Sequence, residues 1–564
     1  GNLKHFKAVG KLENLENKTK NFTSEGFGVA IGHTRWATHG KPSEINAHPH
    51  LGQYSFVTHN GIIENYQEIK NELEKDGVNF LSQTDTEVIV HLFEKFDKEL
   101  KDPFKAFEKT ISKLSGSYAI LIITKSAPDT IFFAKNAVPL IIGKSDLGEI
   151  YFSSSDAPLI GFAKDAIYLE DKMIGVTKFN DIQIYSNNLP VKPSPQALPT
   201  DRSYARKEGY RFFMEKEIYE QSTVATETLM GRVKDNTIKF DEISPELFNK
   251  VDEIVICACG TSYHAALTAS YLFERIAKIR TKVEIASEFR YKEPFLNPNS
   301  IFIVISQSGE TADTLEALKI AKTAGLKTLA ICNVDNSSMV RLAQNVILTR
   351  AGIEKGVAST KAFATQVLTL WMVVLYLANS RDTISKDELA KEIKTLLNIP
   401  KILKVDKKIH EKIHRISKHY LHGHGFFFIG RDLFYPLALE GALKLKEISY
   451  LHAEGYASGE MKHGPIALVD EKLFTIALLP QNMLYEKTKS NVEEIAARDG
   501  HVLAISPLEF ELCDDFLKTN DSKHYMSEFF EMMVLLQLFA LEIAIRLGND
   551  VDMPRNLAKS VTVE

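Results

Sequence analysis

The chain has 564 residues, 25% of them charged and 44% hydrophobic, which is typical of a globular protein with two to four domains. Its 68 Lys and Arg residues against 73 Asp and Glu residues leave a formal charge of −5. This balance excludes a basic surface for nucleic acid and a polybasic segment for a membrane, and the four cysteines form no disulfide framework, which favours the cytoplasm.

Residues 1–190 combine short strands with amphipathic helices. Apolar residues recur at threes and fours over 65–77 and 85–100, which predicts two helices. Closely spaced strand patterns at 118–124, 130–143 and 149–160 favour antiparallel pairing, so this region is predicted to be an α+β domain. Three prolines within seven residues then predict a linker over 191–207.

Beyond the linker, continuous apolar strands alternate with helices of ten residues or more, as in a parallel α/β sheet. The same strand, Gly-bearing turn and helix open two blocks, which indicates an internal duplication. We therefore predict two doubly wound parallel-sheet subdomains, at 208–395 (with its preceding helices) and 396–550, and a tail at 551–564. The apolar run at 367–378 is too short to cross a bilayer and predicts a buried helix.

Hydroxyl side chains gather where two of the predicted strands turn into helices. The segment SQSGET follows the strand IFIVI, and CGTS follows EIVICA. Helix N-termini carry unpaired N–H groups that bind anions, so the two turns predict a site for one phosphate. Because serine and threonine often only cap helices, capping is the alternative for either turn alone. The candidate ligands are Thr261, Ser262, Ser306, Gln307, Ser308, Gly309 and Thr311.

A group of motifs makes the prediction specific. The segments are CGTS, SQSGETADT, GVASTKAFATQ, EGALKLKEISY, GEMKHGP and the terminal DMPRNLAKSVTVE. Together they resemble the sugar isomerase (SIS) domains of the glutamine:fructose-6-phosphate aminotransferase family, which makes glucosamine 6-phosphate. The resemblance implies that hydroxyls and backbone amides hold the sugar phosphate, and that Thr261, Val357 and Ser359 line the sugar.

The resemblance also implies four catalytic residues. Glu447 would move the proton between C1 and C2, and Lys444 would assist proton transfer at the sugar hydroxyls. His463 would open the sugar ring from a neighbouring subunit, which implies a homodimer. Lys559 would form a Schiff base with the open-chain ketose, so the tail would fold back over the site. By spacing alone, Lys444 and Glu447 fit a surface ion pair equally well, and His463 and Lys559 fit a turn and a solvated tail.

Three segments of the first 100 residues resemble a class II glutamine amidotransferase domain of the N-terminal-nucleophile type. They are IGHTRWATHGKPSEINAHPH, THNGIIENY and SQTDTEVIVH. The resemblance implies that Arg35 and Asp85 bind the α-carboxylate and α-ammonium groups of glutamine, with Thr38 and His39 beside them. Asn60 and the Gly61 amide would form the oxyanion hole, and Trp36 would gate an ammonia passage, although an ordinary core tryptophan is the alternative.

The chain departs from this pattern at its start. Such glutaminases attack with an N-terminal cysteine, whereas this chain begins with Gly1 and has no cysteine before Cys257. We therefore expect the natural protein to be longer, and the polypeptide as given to hydrolyse no glutamine.

The resemblance implies fructose 6-phosphate and glutamine as substrates, and no cofactor. No metal site is predicted either, because His48-x-His50 and His422-x-His424 lack an evident third ligand and are read as turn residues. Two other functions fit the hydroxyl turns. A sugar-phosphate isomerase or deglycase would not need Arg35, Asn60 and Asp85, and a sugar-phosphate sensor would not need Glu447 and Lys559 together.

Overall fold

The computed structural model describes residues 3–24, 26, 28–35, 40–155, 157–192, 194–198, 207–244 and 246–561. The chain divides into two compact units: Gly1–Arg206 with Val561–Glu564, and Lys207–Ser560.

The first unit is an α+β fold built on antiparallel strands. Its helices are α1 Leu12–Thr19, α2 Tyr66–Lys75, α3 Glu87–Leu100 and α4 Pro103–Lys113, and Ala157–Leu159 is a 3-10 turn. Its strands are β1 His50–Leu51, β2 Ser55–Ile63, β3 Gly116–Thr124, β4 Ala127–Asn136, β5 Ile141–Lys144, β6 Ile150–Ser153, β7 Asp165–Tyr168, β8 Met173–Lys178, β9 Asp181–Ser186, β10 Leu189–Val191 and β11 Gln196–Ala197.

These strands form two sheets. One has seven strands in the order β1-β2-β3-β4-β8-β9-β10, and the other has four in the order β11-β7-β5-β6. Helices α2, α3 and α4 cover the seven-stranded sheet through Leu73, Phe93 and Phe107, while Phe133 and Ile142 belong to a second core, which draws on both sheets. The helices expected over 65–77 and 85–100 are confirmed as α2 and α3.

Two local features differ from the sequence pattern. The apolar run 130–143 divides between β4 and β5, which lie in different sheets, because Ala137 has a φ of 60° and Pro139 offers no N–H to a ladder. Part of the segment expected to be a linker lies in a sheet, since β11 pairs with β7 and Leu198 is buried. Residues 199–206 of that segment lie outside the described part of the chain.

The second unit contains two parallel sheets with helices around them. The elements of its first half are α5 Phe213–Leu229, β12 Val233–Lys234, β13 Thr237–Ile238, β14 Glu253–Ala258, α6 Gly260–Arg275, β15 Arg280–Ile285, α7 Ala286–Phe289, β16 Ser300–Ser306, α8 Ala312–Thr323, β17 Lys327–Cys332, α9 Ser338–Leu342, β18 Asn345–Leu348, α10 Lys361–Ser380 and α11 Lys386–Ile402. Those of its second half are α12 Lys407–Ile416, β19 Gly425–Gly430, α13 Phe434–Ser449, β20 Ala453–Ala457, β21 Leu473–Leu478, α14 Tyr485–Ala496, β22 His501–Ser506, β23 Asp515–Lys518 and α15 Tyr525–Arg546, with 3-10 segments Ser417–Tyr420, Ser458–His463 and Pro465–Leu468.

The two sheets share one topology. Their orders, β15-β14-β16-β17-β18 and β20-β19-β21-β22-β23, are the same, and every pair within them is parallel. Successive residues of a central strand enter different cores: Ile256 and Phe428 lie in a core shared by both halves, whereas Cys257 and Phe427 lie in separate outer cores. The doubly wound arrangement and its duplication are therefore confirmed.

The apolar run at 367–378 lies in α10. This helix is long and apolar enough by composition to cross a membrane, but 89% of its most apolar window is buried within the protein, as in the core helix of a globular protein. It packs against α5 and α6, and Trp371 is fully buried. The prediction of a buried helix is confirmed.

Candidate functional site

The two hydroxyl-bearing turns lie side by side in the second unit. The chain leaves β14 for β15 on one side and returns to β16 on the other, so the order in which the strands are added reverses between β14 and β16. The turns after these two strands flank that reversal point, where α/β sheets bind ligands. Thr314, in the first turn of α8, places its hydroxyl 3.8 Å from the Sγ of Cys259, so the helix that follows one hydroxyl-bearing turn contacts the other turn.

The turn after β16 is closed by its own side chains. The Oγ of Ser306 accepts the Gly309 amide at 2.9 Å and lies 3.3 Å from the Oγ1 of Thr311, while the Oγ of Ser308 accepts the Glu310 amide at 3.2 Å. Gly309 has a φ of 69°, and a Cβ added there would lie 2.1 Å from the Oγ of Ser337. The turn therefore needs glycine for both its backbone angle and its packing.

The turn after β14 is connected to the second half of the unit. Thr261 Oγ1 donates to Glu440 Oε1 at 3.0 Å, and His264 Nδ1 lies 2.7 Å from Glu440 Oε2. Glu440 is buried on α13. Ser262 faces the other way, and its Oγ accepts from the Nε2 of Gln366 at 3.0 Å. The turn thus links the end of the first sheet to α13.

Lys444 and Glu447 form a buried ion pair on α13. The Nζ of Lys444 lies 2.6 Å from Glu447 Oε2 and 3.6 Å from Glu440 Oε1. The Lys444 side chain is 1% exposed and that of Glu447 20%, which excludes the alternative of a surface pair. Burial lowers the pKa of the Lys444 ammonium, but the carboxylates of Glu447 and Glu440 outweigh it and raise that pKa above its usual value.

The C-terminal tail folds back onto the loop before α10. The Nζ of Lys559 is ion-paired with Glu354 and donates to the Gly356 carbonyl at 2.7 Å. Glu354 also accepts from the Ser359 hydroxyl at 2.8 Å and from the Thr360 amide at 2.9 Å. The Val357 amide, 3.4 Å from the Asp552 carbonyl, joins the same loop to the start of the tail. The structure therefore brings together three sequence-predicted residues, Val357, Ser359 and Lys559.

Four residues of this region were missed by sequence analysis: Glu217, His264, Glu354 and Glu440. Two of these acids lie in or next to motifs of the sugar isomerase domains: Glu440 is the first residue of EGALKLKE, and Glu354 lies two residues before GVASTKAFATQ. Their burial was the missing information, and their partners lie more than 150 residues away. Of the residues that were predicted, His463 is exposed at the end of the 3-10 segment Ser458–His463, and Gln307 is half-buried in its turn.

The glutamine-binding candidates lie in the first unit. Asn60 and Gly61 are on β2, where Gly61 has a φ of 130° and a Cβ would lie 2.1 Å from the Ser117 carbonyl. Asp85 is buried, and its Oδ2 accepts the Ile63 amide at 2.8 Å. The guanidinium of Arg35 donates to the Gly40 carbonyl at 2.9 Å; burial lowers its pKa, and the Asp85 carboxylate opposes that effect. Trp36, Thr38 and His39 lie outside the described residues.

Four histidines lie near these candidates: His48, His50 and His59 are buried, and His33 is half-buried. His33 and His48 stack with ring centroids 4.3 Å apart, and His48 contacts His50 edge to face at 4.8 Å. His59 lies 3.0 Å from the Thr86 hydroxyl through its Nδ1. The interpretation as a turn residue is wrong for His50, which is buried in β1, whereas His48 lies in the bend before that strand.

Comparison with known proteins agrees with both units. The chain matches the SIS domain family over residues 247–376 and 422–543, and the glutamine amidotransferase domain family over 33–160. It is 66% identical to glutamine–fructose-6-phosphate aminotransferase (isomerizing) of Campylobacter jejuni, over 100% of this chain and 94% of that protein. It is 54% identical to the protein of the same name from Helicobacter pylori, over 100% and 93%.

Solved structures resemble the second unit. The C-terminal domain of glucosamine-fructose-6-phosphate aminotransferase from Francisella tularensis is 42% identical with a TM-score of 0.60, covering 62% of this chain and 99% of that one. A glucosamine-6-phosphate deaminase from Thermotoga maritima is 26% identical with a TM-score of 0.50, covering 62% and 100%. The fold and the matched domains define a glutamine amidotransferase joined to sugar-phosphate isomerase domains. At these identities and coverages, the chain belongs to the glutamine–fructose-6-phosphate aminotransferase (isomerizing) family.

The histidine cluster makes the first unit sensitive to acid. Burial lowers the pKa of His33 to about 4 and that of His50 to about 3, against an ordinary 6.5, so the unfolded chain binds more protons between these values. We predict that stability is full above about pH 6.5 and falls below it, by about 2 kcal/mol for each of these histidines at pH 5. His50→Gln should remove one such contribution from the pH dependence of urea unfolding.

The matched control is His5→Gln, because His5 is an exposed histidine of the same unit. An equal change of the pH dependence in both variants would contradict the role assigned to burial.

Proposed function

We propose that this chain converts D-fructose 6-phosphate and L-glutamine to D-glucosamine 6-phosphate and L-glutamate. The observation that carries the proposal is the triad of Glu440, Lys444 and Glu447 on α13. The Thr261 hydroxyl, in the turn after β14, donates to Glu440 and so joins the triad to the hydroxyl-bearing turns of the first sheet. The Campylobacter jejuni and Helicobacter pylori relatives are both named glutamine–fructose-6-phosphate aminotransferase (isomerizing), which agrees with the proposal. The same relatives disfavour an isomerase, deglycase or sensor without a nitrogen donor.

The phosphate of the sugar is assigned to the two turns at the reversal point. Their ligands are backbone amides, that of Ser262 among them, and the neutral hydroxyls of Thr261, Ser306, Ser308 and Thr311, with the Gln307 amide and the close approach allowed by Gly309. The hydroxyls of Ser306 and Ser308 accept the turn's own amides and fix its shape, so an anion would be held by dipoles oriented in advance. Val357 and Ser359 would line the sugar.

The proton chemistry is assigned to α13 and the tail. Glu447 is the base that moves the proton between C1 and C2, because it is the partly exposed acid of the triad. Lys444, fixed between two carboxylates, would donate to and accept from the sugar hydroxyls. Lys559 would form the Schiff base with the open-chain ketose.

In the first unit, Arg35 and Asp85 are assigned to the binding of glutamine, with Thr38 and His39 beside them. Asn60 and Gly61 are assigned to the oxyanion hole, and Trp36 to the ammonia gate.

Replacing the base tests the reaction directly. Glu447→Gln keeps the size of the side chain and a hydrogen-bond acceptor for Lys444 but removes the proton acceptor, so we expect the conversion of fructose 6-phosphate to glucose 6-phosphate to slow by about 100-fold to 10,000-fold. This conversion needs no glutamine and is measured on the sugar alone.

Glu454→Gln is the control, since Glu454 forms an ion pair with the exposed His452 in the same half of the unit. A Glu447→Gln variant that isomerises as fast as this control would show that the base is elsewhere.

The hydroxyl turn is tested at its glycine. Gly309→Ala strains the backbone by about 1–3 kcal/mol and pushes a Cβ against Ser337, which should displace the phosphate ligands. We expect the KM for fructose 6-phosphate to rise by about tenfold. Gly325→Ala carries the same backbone strain at the other end of α8, with no atom within 4 Å of the added Cβ. If both variants raise KM equally, the turn does not bind the phosphate.

We also propose a homodimer in which His463 of one chain opens the sugar ring in the site of the other, and a cytoplasmic location. The exposure of His463 supports the first assignment, and the reduced cysteine pattern supports the second. Mixing His463→Ala with Glu447→Gln should restore up to about a quarter of the wild-type activity, because half of the dimers are mixed and each has one intact site. Absence of any recovery while mass measurement shows mixed dimers would mean that His463 acts within its own chain.

A further inference from the structure

Glu354 lies in the proposed site but takes no part in the proton transfers assigned above. It is a buried carboxylate on the loop before α10, and the Nζ of Lys559 is its ion partner. It accepts the Thr360 and Ala362 amides at 2.9 and 3.1 Å and the Ser359 hydroxyl at 2.8 Å. These donors fix both of its oxygens. Such a buried, fully hydrogen-bonded carboxylate is held as an anion beside a cation.

A second buried acid holds the other side of the loop. Glu217 on α5 accepts the amides of Lys355 and Gly356, the latter at 3.2 Å, and the carbonyl of Gly356 in turn accepts from Lys559 at 2.7 Å. Burial, and then the Glu354 carboxylate, raise the pKa of Glu217 to about 7. The ion pair with Lys559 and the amide hydrogen bonds outweigh burial at Glu354 and lower its pKa to about 2. The ion pair and hydrogen bonds of Glu354 therefore favour its anionic form, and Glu217 orients the loop.

We propose that Glu354 is the counterion of the imine nitrogen that Lys559 forms with the open-chain sugar phosphate. The inference rests on the function proposed above, and makes Glu354 a positioning residue that acts through Lys559. The amine of Lys559, after losing a proton, attacks the C2 carbonyl carbon; a C–N bond forms, and the carbonyl oxygen leaves as water. The sum is a ketone plus an ammonium giving a protonated imine plus water, so atoms and charge balance.

The positive charge stays on the same nitrogen in this reaction. A carboxylate that pairs with the ammonium can therefore also pair with the iminium, with no change of net charge in the buried site. Three other ionisable groups lie near this pair: Lys559 acts on Glu217 as well as on Glu354, the Glu354 carboxylate acts on Lys444, and Lys361 acts on Glu217. Lys361 has its own partner in Glu220 at 2.8 Å and Lys444 has Glu447. The Nζ of Lys559 is ion-paired with Glu354, so Glu354 is the carboxylate in direct contact with it.

The imine can be counted separately from turnover. Fructose 6-phosphate and cyanoborohydride, which reduces the protonated imine, should leave the sugar covalently attached to Lys559 of the wild-type chain, as measured by mass spectrometry of the peptide. In Glu354→Gln we expect at least about tenfold less attachment at neutral pH. We also expect attachment to decline at a lower pH than in the wild type, because an imine without its counterion loses its proton more easily.

The pH shift separates this role from a structural one. Glu354→Asp keeps the charge and should recover part of the attachment and the wild-type pH profile. Glu528→Gln is the matched control, because Glu528 is another buried acid that accepts a backbone amide, from Gln481 at 2.7 Å, and it should match the wild type.

Each outcome has one meaning. If the wild-type chain shows no attachment at Lys559, the assigned role of Lys559 in the proposed function fails. If the wild type is labelled and Glu354→Gln is labelled equally with an unchanged pH profile, the counterion inference is overturned while the function stands. If Glu354→Gln is labelled less at every pH but its labelling declines at the same pH as in the wild type, the counterion inference is also overturned. That result would mean that the substitution only misplaces Lys559.

Discussion

The contact on which the rest of the second unit depends is the one between Glu440 and the first parallel sheet. Glu440 lies on α13, in the second half of the unit, yet both of its oxygens are within hydrogen-bond distance of side chains from the first turn of α6, Thr261 and His264. A buried carboxylate is costly unless it is fully paired, so these contacts fix the position of α13 relative to the hydroxyl turns. Lys444 and Glu447, one and two turns further along the same helix, are positioned as a consequence.

This arrangement explains why duplication of a simple α/β subdomain can create a more elaborate site. Both sheets have the same strand order, but the hydroxyl turns belong to the first and the proposed proton-transfer residues to the second. The shared core contains Ile256 of one sheet and Phe428 of the other, so the two halves are parts of one hydrophobic interior. A rigid common core would let the phosphate proposed to bind at one sheet be presented to the proposed base on the other.

Much of the fold could be predicted from the sequence, because the signals are local. Continuous apolar strands ending in Gly-bearing turns indicated the parallel sheets, and the apolar run at 367–378 indicated the buried helix α10. Helix α11 begins with a Ser385–Glu388 capping box, which is another local signal. The division of 130–143 between two sheets could not be foreseen from Pro139 alone, because it also depends on the left-handed backbone at Ala137 and on the pairing of β5 with β6 and β7.

The candidate site was predictable only where motifs carried it. The Lys444–Glu447 pair was visible from its spacing, whereas the partner of Lys559 was not, because Glu354 lies 205 residues away and no pattern marks it.

The central claim, one sugar-phosphate site built from both halves of the second unit, is tested most directly by a crystal structure with fructose 6-phosphate. The account predicts the phosphate between the turns 259–262 and 306–311, with the sugar carbons between Glu447 and Lys559. A phosphate bound away from both turns would contradict it.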